Sequence, residues 1–283
     1  MGAKPGLYLG LMSGTSLDGV DAALVETDGE AHARPGAALT LAYDEGLRAS
    51  LRALLDRAGT LARDDAALRQ AERALTDRHA EAVAALLDAA GVAARDVAAL
   101  GFHGQTILHR PERRLTWQIG DAARLACATG IPAVHDFRSA DVAAGGQGAP
   151  LAPLWHAALA IGLARPLAVL NLGGVGNVTW IGADGAVLAC DTGPGNGPLD
   201  DWVAARAGVA FDEGGRIAAA GRVAVAVLAR LMAHPFFAAA PPKSLDRLDF
   251  AHALAASALA ELPLADGAAT LAAFTAASVA AVR

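Results

Sequence analysis

The sequence predicts an α/β fold built as two related domains, and three observations carry that expectation. Strand-like and helix-like segments alternate over the first half of the chain. A strand, a glycine turn and a second strand open near residue 7 and open again near residue 167. A length of 283 residues is enough for two domains, each with its own core. The junction is expected in the glycine- and proline-rich stretch 145–153, giving domains 1–145 and 146–283.

Taken in order, residues 7–12 read as a buried strand and 20–25 as its return. Ser13-Gly14-Thr15-Ser16-Leu17-Asp18-Gly19 lies between them, and Asp-Gly at its end is a hairpin signal. Residues 47–58 and 64–90 carry apolar side chains at helical spacing, with Gly91 as the stop. Residues 97–102 form a short strand, and the polar run His103-Gly104-Gln105-Thr106 is expected beyond its carboxyl end. A helix over 121–129 stops at Gly130, and a strand over 131–134 precedes Asp136 and Arg138. In such sheets ligands gather beyond the carboxyl ends of strands.

The second half repeats the opening. A strand over 167–171, the turn Gly173-Gly174-Val175-Gly176 and a strand over 178–181 lead to a third strand, 186–190, which is expected to end at Asp191. Pro198 suits the first turn of a helix ending near Gly208, and 223–233 reads as a further helix. Residues 267–282 are almost wholly apolar, so they should form a buried helix. With little sequence after it, that helix is expected to lack part of its cover and to expose apolar surface.

Composition excludes several functions. Apolar residues at 54% rule out intrinsic disorder. A formal net charge of −6 with no basic stripe argues against nucleic acid as a partner. Cys127 and Cys190 are too far apart for a C-x-x-C, and the histidines show no zinc spacing. The longest uncharged stretch contains Gln147, Pro150, Pro153 and His156 and suits no membrane span. Without a targeting segment, a cytoplasmic location is expected.

Five segments can carry chemistry. Gly14 to Gly19 has P-loop glycine spacing, but Val20 and Asp21 stand where Lys-Ser/Thr must follow, so a Walker A site is out. A small-residue hairpin can still offer N–H groups and hydroxyls to phosphate, or can be a plain turn. Gly173-Gly174-Val175-Gly176-Asn177 lacks the third glycine and the helix of a dinucleotide fingerprint, since Thr179 stands in its place. Paired with the first hairpin, it suits a two-sided phosphate clamp. Asp191-Thr192-Gly193-Pro194-Gly195-Asn196 fits a general base before a close ligand approach, or an Asx-turn or helix cap, the commoner fate of Asp in such places. His103 to Thr106 and Asp136 to Arg138 suit hydrogen bonding to a sugar, whereas His109 and His135 read as structural.

Together these segments resemble the anhydro-N-acetylmuramic acid kinase family of the actin/hexokinase superfamily. The matching stretches are GLMSGTSLDGVDAAL at 10–24, GFHGQTILHRP at 101–111, the run 118–153, NLGGVGNVTWI at 171–181 and CDTGPGNGPLDDW at 190–202. The resemblance implies two ribonuclease-H-like domains that close on ATP and a small amino-sugar, a homodimer, and a reaction that opens the 1,6-anhydro ring while phosphorylating O6. By carry-over, Asp191 is the base that activates water. Gly14, Thr15, Ser16, Leu17, Asp18, Gly19, Val20 and Asp21 cradle ATP with Gly173, Gly174 and Asn177, and Asp18 helps hold Mg²⁺. Gln105, Thr106, Asp136, Arg138 and Asn196 line the sugar pocket.

Two departures accompany the resemblance. Family members run several tens of residues further, including a glycine-rich nucleotide segment. Leu245-Asp246 also stands where Thr-Gly is expected after Pro241-Pro-Lys-Ser244. Three alternatives remain at this point: a lytic or hydrolytic sugar enzyme using Asp191 with a second carboxylate, an ATP-binding actin-like module without catalysis, and a truncated inactive homologue.

Overall fold

A computed structural model describes residues 4–14, 17–30, 32–245 and 250–282. The chain divides into two compact units, Met1–Leu151 and Ala152–Arg283.

The first unit opens with β1 (Gly6–Ser13) and β2 (Gly19–Thr27), an antiparallel hairpin. Leu9 and Leu11 alternate with exposed neighbours on β1, as Val20, Ala22 and Leu24 do on β2, so one face of the hairpin is core. The next strand, β3 (Ala33–Ala42), has no counterpart in the sequence reading. Pro35 and Gly36 mask it, and an edge strand tolerates both because its outer side donates no ladder bond. The helices α1 (Glu45–Asp56) and α2 (Ala66–Ala90) follow as expected. Asp44 and Asp65 cap their first turns, and Gly91 closes α2 in the left-handed region at φ 64°. Leu68, Ala71, Leu75, Ala82, Val83 and Leu86 form the buried stripe of α2 at three- and four-residue spacing.

The central strand β4 (Val97–Arg110) is longer than expected. It runs parallel to β1 and to the short β6 (Ala133–His135), then antiparallel to β5 (Leu115–Ile119), a strand the sequence reading also lacks. The sheet order is β3-β2-β1-β4-β5, with β6 also paired to β4. His103 to Thr106 therefore lie inside a strand, not beyond its end. Gly104 marks the change of partner: its φ is +69°, and a Cβ there would stand 2.3 Å from the Ile119 carbonyl oxygen. A polar stretch with a left-handed glycine reads as loop, but two neighbouring strands supply its backbone partners. Between β5 and β6, α3 (Ala122–Thr129) runs from its cap Asp121 to Gly130, and α4 (Ser139–Ala144) ends the unit.

The second unit begins with α5 (Ala152–Leu159) and an antiparallel meander of β7 (Leu167–Leu172), β8 (Val175–Ile181) and β9 (Val187–Pro194). Asp191 sits within β9, three residues before its end, so the expected strand end is corrected to a mid-strand position. Then come α6 (Gly197–Ala207), α7 (Arg216–Ala219), α8 (Val225–Met232), α9 (Ala251–Ala256) and α10 (Leu264–Ala280). Pro198 stands in the first turn of α6 and Gly208 closes it.

The apolar helix α10 is the spine of this unit. Ala268, Leu271 and Phe274 are buried against a cluster that includes Trp202, Val203, Val227, Leu231 and Phe250. The expectation that α10 lacks cover is thus corrected: α6, α7, α8 and β9 pack on it. Exposed apolar side chains of this unit include Leu154 on α5, at 76%, Leu170, Leu172 and Trp180 on the meander, and Phe211 and Val225 near α7 and α8.

Candidate active site

In the first unit the hairpin loop between β1 and β2 is held from below. Gly14 O accepts from Leu17 N at 3.3 Å and from the Gln105 side-chain amide at 3.2 Å. Ser13 Oγ donates to Gly104 O at 3.0 Å. Gln105, fully buried, therefore ties the hairpin to β4. Leu17 adopts φ +57°, unusual for a branched aliphatic residue, while its side chain is 1% exposed. Val20 is likewise core. Leu17 and Val20 therefore offer a ligand only main chain. Thr15 and Ser16 lie outside the described residues. Asp18 is exposed, and its carbonyl accepts from Tyr43 N at 3.0 Å. Asp21 receives the Thr40 hydroxyl at 2.5 Å.

Gly19 faces the neighbouring strand. A Cβ there would stand 2.5 Å from Leu41 O and 2.9 Å from Ala42 Cα. The residue is glycine because β3 passes that close. A side chain at 19 would therefore displace β3, whatever it did to a ligand at the hairpin.

A cavity of about 250 Å³ opens on the same unit, lined among others by Arg63, His103, Trp117, Gln118 and Asp136. Arg63 stacks over the Trp117 ring at 4.8 Å. Asp136, at φ +60°, thus shares a cavity with His103. Thr106 is drawn to β5 instead, accepting from Gln118 Nε2 at 3.2 Å. Arg138 donates through Nε to His103 Nε2 at 2.8 Å and through Nη1 to Gly148 O at 2.6 Å. His109 meets Thr116 Oγ1 at 2.9 Å, a contact within the β4–β5 pair.

In the second unit Asn171, Asn177 and Asp191 stand directly opposite one another on β7, β8 and β9. Partners in an antiparallel ladder share a face, so the three polar side chains make one row across the sheet. Asn171 is not among the site residues expected from sequence, because period-two alternation on a single strand does not show what it faces. Two residues along β8 from Asn177, the buried Thr179 meets His156 Nδ1 of α5 at 2.9 Å.

The segment 241–245 grips Asp191. Its backbone N–H donates to Lys243 O at 2.9 Å, and its Oδ2 accepts from Leu245 N at 2.7 Å. Burial pushes the Asp191 carboxyl above its ordinary range, and the Leu245 N–H opposes part of that rise. Leu245 acts through its main chain, so a leucine can stand where the resemblance expects another residue. Asp246 lies outside the described residues.

The turn after β7 packs on the loop after β9. Asn196 N donates to Gly173 O at 2.7 Å, Gly195 N to Gly174 O at 3.0 Å, and Asn196 Nδ2 to Leu172 O at 3.2 Å. The Gly173 N–H is taken by Val175 O. A Cβ on Gly195 would stand 2.2 Å from Gly173 O, so the two loops meet backbone to backbone.

Fold and site together define an α/β protein. One unit carries a braced glycine hairpin and a polar-aromatic cavity, and the other a partly buried aspartate in a polar row. A family model for anhydro-N-acetylmuramic acid kinase matches residues 6–282, and the chain belongs to that family. It is 64% identical over 273 residues to the anhydro-N-acetylmuramic acid kinase of Acidiphilium cryptum, covering 96% of this chain and 74% of that relative. The Paramagnetospirillum magneticum enzyme of the same name is 56% identical, covering 97% of this chain and 75% of its own. The Gluconobacter oxydans one is 55% identical, with 96% and 76% covered. Among solved structures, an ethanolamine utilization protein from Carboxydothermus hydrogenoformans matches 77% of this chain and 63% of its own at 16% identity and a TM-score of 0.34. The fold class accordingly rests on the strand order above.

Proposed function

We propose that the chain is the ATP-dependent kinase of its family. It opens the 1,6-anhydro ring of 1,6-anhydro-N-acetylmuramic acid and phosphorylates O6, giving N-acetylmuramate 6-phosphate and ADP in peptidoglycan recycling. The observation that carries this reading is the family match over residues 6–282. Its expected setting is two ribonuclease-H-like domains, a homodimer and the cytoplasm.

In this reading Asp191 takes a proton from water as the water oxygen bonds to the anomeric carbon and the bond from that carbon to O6 breaks. O6 then attacks the γ-phosphorus, and ADP leaves. The upward shift of the Asp191 carboxyl supports the role, since a base works best when its pKa approaches the operating pH. Main chain of the β1–β2 hairpin cradles phosphate in the first unit; Gly173, Gly174 and Asn177 are the nucleotide-binding residues of the second. Asp136, Arg138, Thr106 and Asn196 serve the sugar. Gln105 serves it indirectly by bracing Gly14.

Among the described residues no group of three or more His, Cys, Asp or Glu is placed to hold a metal. Magnesium that travels with ATP fits this donor set, because it needs only one or two carboxylates beside phosphates and water. Asp18, exposed at the hairpin, would hold it, and the ion would neutralise charge on the transferred phosphoryl group.

The test is to incubate the purified chain with ATP–Mg²⁺ and the anhydro-sugar and to follow ADP and phosphorylated sugar together. Coupled appearance of both is expected, and Asp191→Asn should abolish it. Sugar hydrolysis without ATP consumption would favour a hydrolase. ATP binding without turnover would favour a nucleotide-binding module.

A further inference from the structure

His103 has two partners that fix its proton. Its Nδ1 lies 2.7 Å from Gly104 O, which can only accept. Its Nε2 lies 2.8 Å from Arg138 Nε, which can only donate. The ring is therefore neutral, with hydrogen on Nδ1 and a lone pair on Nε2 aimed at the guanidinium. Ser13 Oγ donates to the same Gly104 carbonyl at 3.0 Å, and Gln105 Nε2 donates to Gly14 O at 3.2 Å. Three consecutive residues at the β4 kink thus hold Arg138 on one side and the β1–β2 hairpin on the other. The second anchor of Arg138 is Gly148 O at 2.6 Å, itself held in place by Asp141 Oδ2 on Gly148 N at 2.6 Å. No carboxylate pairs with Arg138 among the described residues.

We propose that His103 is a positioning residue: as the neutral Nδ1–H tautomer it holds the Arg138 guanidinium in the orientation that receives the sugar. The inference rests on the reading of Arg138 as a sugar contact. A second proton on Nε2 would set two donors against each other and release Arg138. Burial, and then the charge of Arg138, push the His103 pKa down, which keeps the acceptor available. The other groups around it are His79 on α2, held neutral by burial at a pKa of about 4, and Arg63, His135 and Asp136 around the cavity.

Two substitutions separate the two bonds of the ring. His103→Asn keeps a donor near Nδ1 and loses the acceptor for Arg138. His103→Gln places an amide oxygen near Nε2 and keeps that acceptor. A hydrogen bond to a charged group is worth roughly a tenfold to hundredfold change. We expect His103→Asn to raise the sugar KM by at least about tenfold with the KM for ATP and kcat near the parent values, and His103→Gln to stay within roughly threefold of the parent. A sugar KM unchanged in His103→Asn but raised in Arg138→Ala overturns the proposal and leaves the sugar role of Arg138 standing. A KM unchanged in Arg138→Ala removes that role, and the proposal falls with it. A readout free of turnover is ¹⁵N resonance of the histidines. The Nδ1–H tautomer of His103 should persist as pH falls below about 6.5, the ordinary histidine value. An Nε2–H tautomer, or an imidazolium near neutral pH, overturns the assignment.

Discussion

Asp191 is the residue at which stability and function part. Its carboxyl is raised by burial, so the folded state binds its proton more tightly than the unfolded chain does. The sign follows: its stability contribution is full below the ordinary carboxylate value of about 3.9 and is lost as pH rises through the folded value. At neutral pH the ionised group is a cost. Asp191→Asn keeps an oxygen for the Leu245 N–H and removes the charge. It should melt no lower than the parent at pH 7, and the difference should shrink as pH falls, as thermal scans across pH would show. Turnover should drop by more than the roughly 10²–10⁴ typical of a lost base, because O6 is freed only when water attacks. A variant that melts lower while keeping its rate would make Asp191 a structural cap. At Gly19 the reasoning runs the other way. A Cβ 2.5 Å from Leu41 O must push β3 aside, so Gly19→Val should lower Tm and ATP affinity together. ATP affinity lost at an unchanged Tm would show that the side chain acts at the phosphate and not through β3.

At the scale of an element, α10 shows why a helix of small residues can be a core. Gly267 lies where a Cβ would stand 2.1 Å from the Trp202 ring, and Trp202 Nε1 donates to Leu264 O at 2.9 Å on the same helix. Arg206 lies over the indole ring at 4.2 Å. Helix propensity alone says Gly267→Ala should stabilise by about 1 kcal/mol. Overpacking against a rigid indole costs about 1–3 kcal/mol and should outweigh it. Chemical denaturation of the variant should therefore show a loss of stability, and a gain would mean that α6 shifts freely. The same crowding explains the burial of α10: Phe274 packs on Phe237 and Phe250 at ring-centroid distances of 5.9 and 5.7 Å.

At the scale of the whole molecule, each unit has its own core. One cluster joins β1, β2, β4, α1 and α2 through Leu9, Val20, Leu51, Leu75, Leu100 and Phe102. The other joins α6, α8 and α10 through Val203, Leu231 and Phe274. A unit with a contiguous core can fold alone. Residues 1–151, expressed by themselves, should give a cooperative melt by circular dichroism. A non-cooperative loss of signal would show that the first sheet needs the rest of the chain.

Local patterns were enough for much of this architecture. The β1–β2 hairpin, α1, α2, α3 and α6, with the glycine stops of α2, α3 and α6, follow from spacing and turn chemistry between residues a few positions apart. So do the glycine turn after β7 and the resemblance carried by SGTSLDG and DTGPGN. What tertiary structure decided are the elements and contacts whose partners are distant in the chain. The edge strand β3, with its Pro35, exists because β2 pairs with it, and the polar stretch 103–106 is strand because β1 and β5 flank it. Asn171 joins Asp191 only through a register across three strands. The Leu245 N–H reaches the Asp191 carboxyl across 54 residues. Sequence periodicity reports which face of an element is apolar. It does not report which chain segment arrives opposite, and that arrival sets the proton on His103, the pose of Arg138 and the raised carboxyl of Asp191.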